Sequence, residues 1–421
     1  MRKLYTLLLW LLIPFIFFRL AYRGLKSKGY LKRWRQRLGF SPRLSQPSIW
    51  LHAVSFGESV AATPIIKRLI EQYPDHPLLI TNTTPTGYNH IEKHFGGKVT
   101  QCYLPFDIPN FIQRVIRRTK PIIFIVMETE LWPNCLNIMN KNNIPSMILN
   151  GRLSARSLRR YQKISSISKA MMKSIDSIAA QFPLDADHFT QLGAKPNSVH
   201  TTGSIKFDIS LQEHPDHLAI KTQLQNRLVW TIASTHDGEE PQVLPTYKAL
   251  KQLFPNLLMI IAPRHPERFT VVNKLCTKEG FVVTTRSSDQ PITPETDVFL
   301  GDSMGEMNLF YGLADVVFMG GSFVSTGGHN MLEPISLGKP TITGPYTHNF
   351  SSIVQSLLVQ KALIQVENTT ELTQELQALF QNPEAQTALI NNGKQVMSQN
   401  KGATDKQLAL IAQLLNKGRH E

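Results

Sequence analysis

From residue 49 onward, short apolar runs alternate with longer amphipathic stretches. "IWLHAVS" (49–55), "PLLITNT" (77–83), "TQCYLPF" (100–106), "PIIFIVM" (121–127), "PSMILNG" (145–151), "DSIAAQF" (176–182) and "VHTTGSI" (199–205) read as strands. They are β-branched or continuously apolar, as strands buried on both faces should be. Between them lie helix-length patterns such as "ESVAATPIIKRLIEQY". That alternation predicts a parallel sheet with helices on both sides. The polar stretch "DISLQEHPDHLAIKTQLQNR" interrupts it without a strand-like run.

A second series follows: "LVWTIAST" (228–235), "LLMIIAPR" (257–264), "FVVTTR" (281–286), "DVFLGD" (297–302), "DVVFMGG" (315–321), "PTITGP" (340–345) and "ALIQVE" (362–367). The pattern therefore predicts an α/β protein of two doubly wound domains, 44–206 and 228–382, with a linker at 207–227. Residues 383–421 read as a helical segment that returns toward the first domain. Ligands of such sheets sit at the carboxyl ends of the strands, and a cleft between the two domains is the expected site.

Ahead of all this, residues 1–43 break the pattern. "LYTLLLWLLIPFIFF" (4–18) holds no charge, and basic residues flank it on both sides. Crossing a bilayer takes about 20 residues, so a full span would have to recruit 19–22 by snorkelling. No small-x-small cleavage site follows, as a signal peptide would need. Positive charge on the C-terminal flank places the body in the cytoplasm. The following "RLAYRGLKSKGYLKRWRQRLGF" is expected as a basic juxtamembrane helix able to lie on an anionic leaflet. Whether the segment spans or lies in the membrane, it reads as an anchor.

Composition adjusts this picture in two places. The chain has 421 residues, enough for two cores, and a net charge of +14 that suggests nucleic acid at first sight. Residues 1–43, however, carry eleven Lys or Arg and no acid, leaving 34 basic against 31 acidic residues beyond them. The body is nearly neutral, which removes the support for a nucleic-acid groove. Cys102, Cys135 and Cys276 are far apart and lack metal-ligand spacing, so neither disulfides nor a structural zinc is expected.

The candidate chemistry collects at the strand ends. "GGSFVSTGGHNMLEP" (320–334) runs from a strand through a glycine turn into a helix. Its glycines let backbone N–H groups approach a ligand, and the helix start favours an anion. Asn330 can cap that helix, and Glu333 one turn in suits a ribose diol. Glu333 as a plain capping-box acid is the competing reading, which accounts for the acid but not for the glycines. "GDSMGEMNLF" repeats the device with Gly305 and Glu306, Arg264 follows a strand directly, and in "ASTHDGEE" Ser234 and Thr235 end another before a helix capped by acids, Glu239 among them. In the first domain Glu58 opens a helix, where the dipole is expected to hold it ionised and fit to act as a general base. A helix-N-terminal acid of no special role is the alternative. Glu128 and Glu130 follow the next suitable strand, and alternation is expected to turn Glu130 away from the face of Glu128. Arg152, Arg156 and Lys206 supply cations, while His52, His236, His265 and His329 lack metal spacing.

Taken together, "LHAVSFGESVAATP", "METELWPN", "NGRLSARS", "GSIKFD", "ASTHDGEE", "APRHPERF", "GDSMGEM" and "GGSFVSTGGHNMLEP" resemble the 3-deoxy-D-manno-octulosonic acid (Kdo) transferases of lipopolysaccharide assembly. The motifs run in family order over 50–345. Phe56 departs from the pattern, standing where a smaller apolar residue is expected. The resemblance implies a GT-B fold, with an acceptor-binding and a CMP-sugar-binding Rossmann-like domain. It implies transfer of Kdo from CMP-Kdo to lipid IVA, the lipid A precursor, at the cytoplasmic face of the inner membrane. Carried over by position, Glu58 is the catalytic base, and Glu128 and Lys206 stabilise the transition state. Pro263 and Arg264, Gly305, Glu306 and Met307, and Asn330, Met331, Leu332 and Glu333 are the CMP-binding segments.

Joined to the reading of the residues, this gives an inverting attack by the acceptor hydroxyl, with its proton passing to Glu58. CMP leaves with its phosphate held by Arg264, Lys206 and the Gly327–Gly328 helix start, so neither metal nor cofactor is expected. The implied partners are CMP-Kdo, lipid IVA and anionic inner-membrane lipid, and no nucleic acid. Two rivals remain: a GT-B transferase using a UDP-sugar, and a membrane-tethered nucleotide sensor without turnover, which would need no base.

Overall fold

In the computed structural model, which describes every residue except Ser27, Ser210, Asp289 and 418–421, the alternation resolves into two seven-stranded parallel sheets. The first is built from β1 (Ser48–His52), β2 (Leu78–Asn82), β3 (Thr100–Tyr103), β4 (Pro121–Met127), β5 (Ser146–Gly151), β6 (Ser177–Ala180) and β7 (Val199–Thr201). Their order is β3-β2-β1-β4-β5-β6-β7. The second uses β8 (Val229–Thr235), β9 (Leu258–Pro263), β10 (Val283–Thr285), β11 (Val298–Leu300), β12 (Val316–Met319), β13 (Thr341–Thr343) and β14 (Ile364–Gln365), ordered β10-β11-β9-β8-β12-β13-β14. In each sheet the winding reverses between two adjacent strands, β1 and β4 in one and β8 and β12 in the other. Loops diverge there and leave room for a ligand.

The core explains why the strands read as unbroken apolar runs. Trp50 points to one side of the first sheet with Leu79, Phe124 and Ile148, while Ile49 and Leu51 point to the other with Ile80, Ile125 and Leu149. Both sides are covered by helices, so both alternating sets must be apolar. The second sheet does the same, with Trp230, Ile232 and Ile261 on one side and Val229, Leu258 and Ile260 on the other.

The chain divides into two units, Met1–Asp208 with Lys401–Glu421, and Ile209–Asn400. The expected linker 207–227 is thus mostly part of the second unit. Its helix His217–Gln223 buries Ile220, and Leu224 follows it into that unit's core. The expected helical segment 383–421 is divided as well. Helix Pro383–Asn400 buries Leu389 and Val396 in the second unit, whereas helix Ala403–Lys417 sends Leu408, Ile411 and Leu415 into the core of the first. The last residues of that segment, 418–421, lie outside the described residues.

The N-terminal helix Arg2–Lys26 is long and apolar enough over Arg2–Leu25 to cross a membrane. It nevertheless packs side-on along the first unit. Asn134 donates to Thr6 at 2.9 Å, Trp10 meets Phe111 and Phe17 meets Phe106. Its opposite face, Leu4, Leu8, Leu11, Phe15, Phe18, Tyr22 and Leu25, is exposed. That spacing is one helical stripe, the arrangement of a helix lying at an interface. Beyond it the expected basic helix gives way to short 3-10 turns, Lys28–Leu31 and Trp34–Leu38. There Arg33 and Arg37 fold back over the rings of Tyr88 and Tyr103.

Candidate active site

Ser55 ends the loop after β1 and caps helix Phe56–Gln72, accepting the Glu58 amide. The Glu58 carboxylate returns the contact, taking the Val54 amide at 2.8 Å and the Ser55 hydroxyl at 3.1 Å. These bonds fix the carboxylate at the mouth of a cavity of about 230 Å³, lined by Glu58, Glu128, Thr129, Glu130, Arg152, Ser154 and Ser157. The helix start does not keep Glu58 ionised, as its position suggested. Burial raises its pKa to about 7, with the Val54 amide opposing and the charges of Glu128 and Glu130 adding to the rise.

Glu130 corrects a second expectation. β4 ends at Met127, and Glu128 takes a left-handed backbone with φ of 56°. That turn breaks the alternation that would have pointed Glu130 elsewhere, and the residue joins the same cavity. Burial, reinforced by Glu128, lifts its pKa to about 7 also. Glu128 itself is paired, 3.3 Å from the Lys206 ammonium. Lys206 sits in the turn Ile205–Phe207, which Asn150 holds by accepting the Ile205 amide. Gln407 of the closing helix in turn accepts the Asn150 amide and donates to Thr202. Neither Asn150 nor Gln407 stands out in the sequence, because each acts through backbone groups of another element. Arg156 lies in helix Ala155–Gln162, outside the cavity lining.

In the second unit the nucleotide candidates lie after the ends of β8, β9, β11 and β12. Arg264 follows β9, its amide bonded to the Thr235 carbonyl. Glu333 accepts from Asn330 at 3.2 Å and from the buried Tyr311, and burial raises its pKa against those two bonds. Asn330 also accepts the Leu332 amide. Glu333 therefore takes side-chain donors rather than closing a capping box. Glu306 is gripped by Arg286 at 2.9 and 3.2 Å, which holds its carboxylate below the usual range. Arg286 pairs with Asp216 as well, and the ligand atoms of His214, Asp216 and Glu306 lie within 4.8 Å of one another. The guanidinium offsets one of that cluster's two carboxylate charges. His236 and His329 meet through Nε2 at 2.8 Å, and burial drives His329 down to about 3, so that pair is neutral.

The glycine run is bonded largely within its own loop. The amides of Gly327 and Gly328 both donate to the Gly321 carbonyl, at 3.1 and 2.8 Å. The helix they lead into, Leu332–Ser336, is little more than one turn. The Gly327 and Gly328 amides thus hold their own loop together in this structure. Gly320 has another reason to be glycine, since a Cβ there would lie 2.8 Å from the carbonyl oxygens of Ala233 and Ser234. The amides of Gly321, Ser322 and Phe323 all point to one buried carboxylate, Glu239, which the sequence placed only as a helix-capping acid.

Comparison with known proteins supplies the family. The 3-Deoxy-D-manno-octulosonic-acid transferase (kdotransferase) profile matches residues 32–209, and that of the Glycosyl transferases group 1 matches 243–396. A 3-deoxy-D-manno-octulosonic acid transferase of Haemophilus influenzae is 39% identical over 99% of both chains. The chain belongs to the Kdo transferases. A Bordetella pertussis relative of the same name is 32% identical, over 93% of this chain and 97% of its own. A glycosyltransferase structure from Rickettsia africae aligns with a TM-score of 0.57 at 13% identity, covering 88% of this chain and 99% of that one. That likeness concerns the fold alone, which is GT-B. The Kdo transferase is therefore a glycosyltransferase of lipopolysaccharide biosynthesis, with the Glu58 cavity in its first unit and the Arg264 and Glu333 strand ends in its second.

Proposed function

We propose that this transferase moves Kdo from CMP-Kdo to lipid IVA with inversion, using Glu58 as general base and no metal ion. The observation that carries the reading is the Glu58 carboxylate, fixed by the Val54 amide and Ser55 hydroxyl beside the Glu128–Lys206 pair. A group with a pKa of about 7 is matched to taking a proton from an alcohol near neutral pH. The acceptor hydroxyl loses its proton to Glu58 as its oxygen bonds to the anomeric carbon of Kdo. The bond from that carbon to the CMP phosphate oxygen breaks with its electron pair, and CMP leaves as a phosphate. Arg264 meets the phosphate charge, and Lys206, held by Glu128, supplies a second cation as charge develops.

Donor recognition rests on Pro263 and Arg264, on Gly305, Glu306 and Met307, and on Asn330, Met331, Leu332 and Glu333. In this reading Glu333 accepts from the ribose diol, while Glu306, bound by Arg286, shapes its loop. The apolar N-terminal helix and its basic flank suit the cytoplasmic face of an inner membrane rich in anionic lipid. Mass spectrometry of products from CMP-Kdo and lipid IVA tests the transfer, and NMR of the isolated product reads its anomeric configuration. A product carrying Kdo in the opposite anomeric configuration to the donor is expected, and retention, or no transfer to lipid IVA, overturns it.

A further inference from the structure

Between the N-terminal helix and the body of the first unit lies a second cavity, also of about 230 Å³. Leu9, Ile13 and Ile16 of the helix form one wall, and Phe106, Ile108 and Trp132 form the other. A largely apolar space of this kind suits hydrocarbon. Its lining also includes Arg37, which is only 4% exposed. One Arg37 amino group donates to the Thr83 carbonyl at 2.9 Å, and the guanidinium lies 4.3 Å over the Tyr103 ring. Its Nε has no partner, and no carboxylate stands within ion-pair distance of it among the described residues. Asp107, the acid in the same lining, spends its carboxylate oxygens on the Asn134 and Cys135 amides. A buried cation with a spare donor and no counter-charge is costly, and an anion relieves it. The indole N–H of Trp132 is likewise unpartnered.

We propose that this cavity binds one acyl chain of an anionic membrane phospholipid, with the lipid phosphate accepting from Arg37. The occupant follows from the surroundings. The face of the helix turned away from the cavity is a continuous exposed apolar stripe, Leu4 to Leu25, flanked by Arg19, Arg23, Lys32 and Arg35. A helix so built lies in an anionic leaflet, where phospholipid tails border the cavity walls and phosphates are the abundant anions. The bound lipid fills the gap under the helix and neutralises Arg37, so the seating of the helix depends on the head-group charge. Its test needs no substrate.

Native mass spectrometry of the full-length protein in neutral detergent reads the result. The probes are dioctanoyl phosphatidylglycerol, dioctanoyl phosphatidylcholine and inorganic phosphate. One phosphatidylglycerol retained per protein, at least about tenfold more strongly than phosphatidylcholine, is expected from a charge-assisted contact. Ile13→Trp fills the cavity and should abolish retention of both lipids. Arg37→Gln should remove the preference while leaving weak retention of either lipid. Equal retention of the two lipids by the unmodified protein overturns the proposal, as does full retention by Ile13→Trp. Binding of inorganic phosphate with the same affinity as the lipid also overturns it. Should Arg37→Gln fail to fold, the lipid comparison and Ile13→Trp still decide.

Discussion

Glu239 accepts the Gly321 amide at 2.6 Å through one oxygen, which also takes the His236 amide. Its other oxygen takes the amides of Ser322 and Phe323, both at 2.9 Å. The bare backbone after β12 therefore surrounds an internal anion, and the loop's shape is set from below before any nucleotide arrives. Glu239→Gln tests this. Whichever way the amide turns, its NH₂ faces two N–H donors, so a loss of about 3 kcal/mol is expected. Denaturant unfolding of the full chain should show that loss in the transition of the second unit, together with weaker CMP binding. Unchanged stability would make Glu239 a bystander.

Glu58→Gln should lose kcat by roughly 10²–10⁴-fold, the usual scale for a general base, with CMP affinity unchanged. Its effect on stability has a sign that burial determines. The folded-state pKa is raised from 4.5 to about 7, so the carboxylate disfavours folding fully above pH 7 and not at all below about 4.5. The neutral amide removes that cost but forfeits bonds to the charged form. Glu58→Gln is therefore expected to be more stable than the parent by about 1–3 kcal/mol at pH 8, with the gain vanishing toward pH 4. Thermal unfolding at the two pH values checks it.

Glu130→Gln removes a like charge from the Glu58 cavity. The acidic limb of the kcat/KM profile, expected near pH 7, should move to lower pH, because Glu58 then loses its proton more easily. Activity at pH 6 relative to pH 8 should rise. Glu71→Gln, on an exposed stretch of helix Phe56–Gln72, is the control. A limb that stays in place would mean that the two carboxyls titrate independently.

Gln407→Leu keeps the size of a fully buried side chain but leaves the Asn150 amide without an acceptor. A cost of about 1–3 kcal/mol is expected. The Thr202 hydroxyl and the Gly203 carbonyl, ahead of Lys206, also lose their donor. Turnover should fall while CMP affinity holds, which steady-state kinetics and calorimetry separate.

The sheets were legible because their strands are covered on both faces, so unbroken runs such as 121–127 and 257–264 have no other home. Glu58 and Glu128 were legible for a related reason. They follow β1 and β4, and a strand buried on both faces gives way to polar residues where it leaves the sheet. What escaped depends on single dihedrals and on distant partners. The left-handed backbone at Glu128 redirects Glu130, and no residue type announces it. The Gly327 and Gly328 amides looked available because their acceptor, the Gly321 carbonyl, becomes near only once the loop closes. Glu239 read as a cap since three of its four donors lie more than eighty residues away.

Helix Ala403–Lys417 has a consequence for how the protein is made. The first unit lacks Leu408, Ile411 and Leu415, part of one side of its core, until the ribosome has finished the whole second unit. Asp208, which accepts the Gly402 and Thr404 amides, waits through the same interval. The nascent first unit therefore carries an apolar groove that only its own late-arriving helix fits. Its core is completed only after the second unit has been synthesised, at a time when the N-terminal helix has long since emerged.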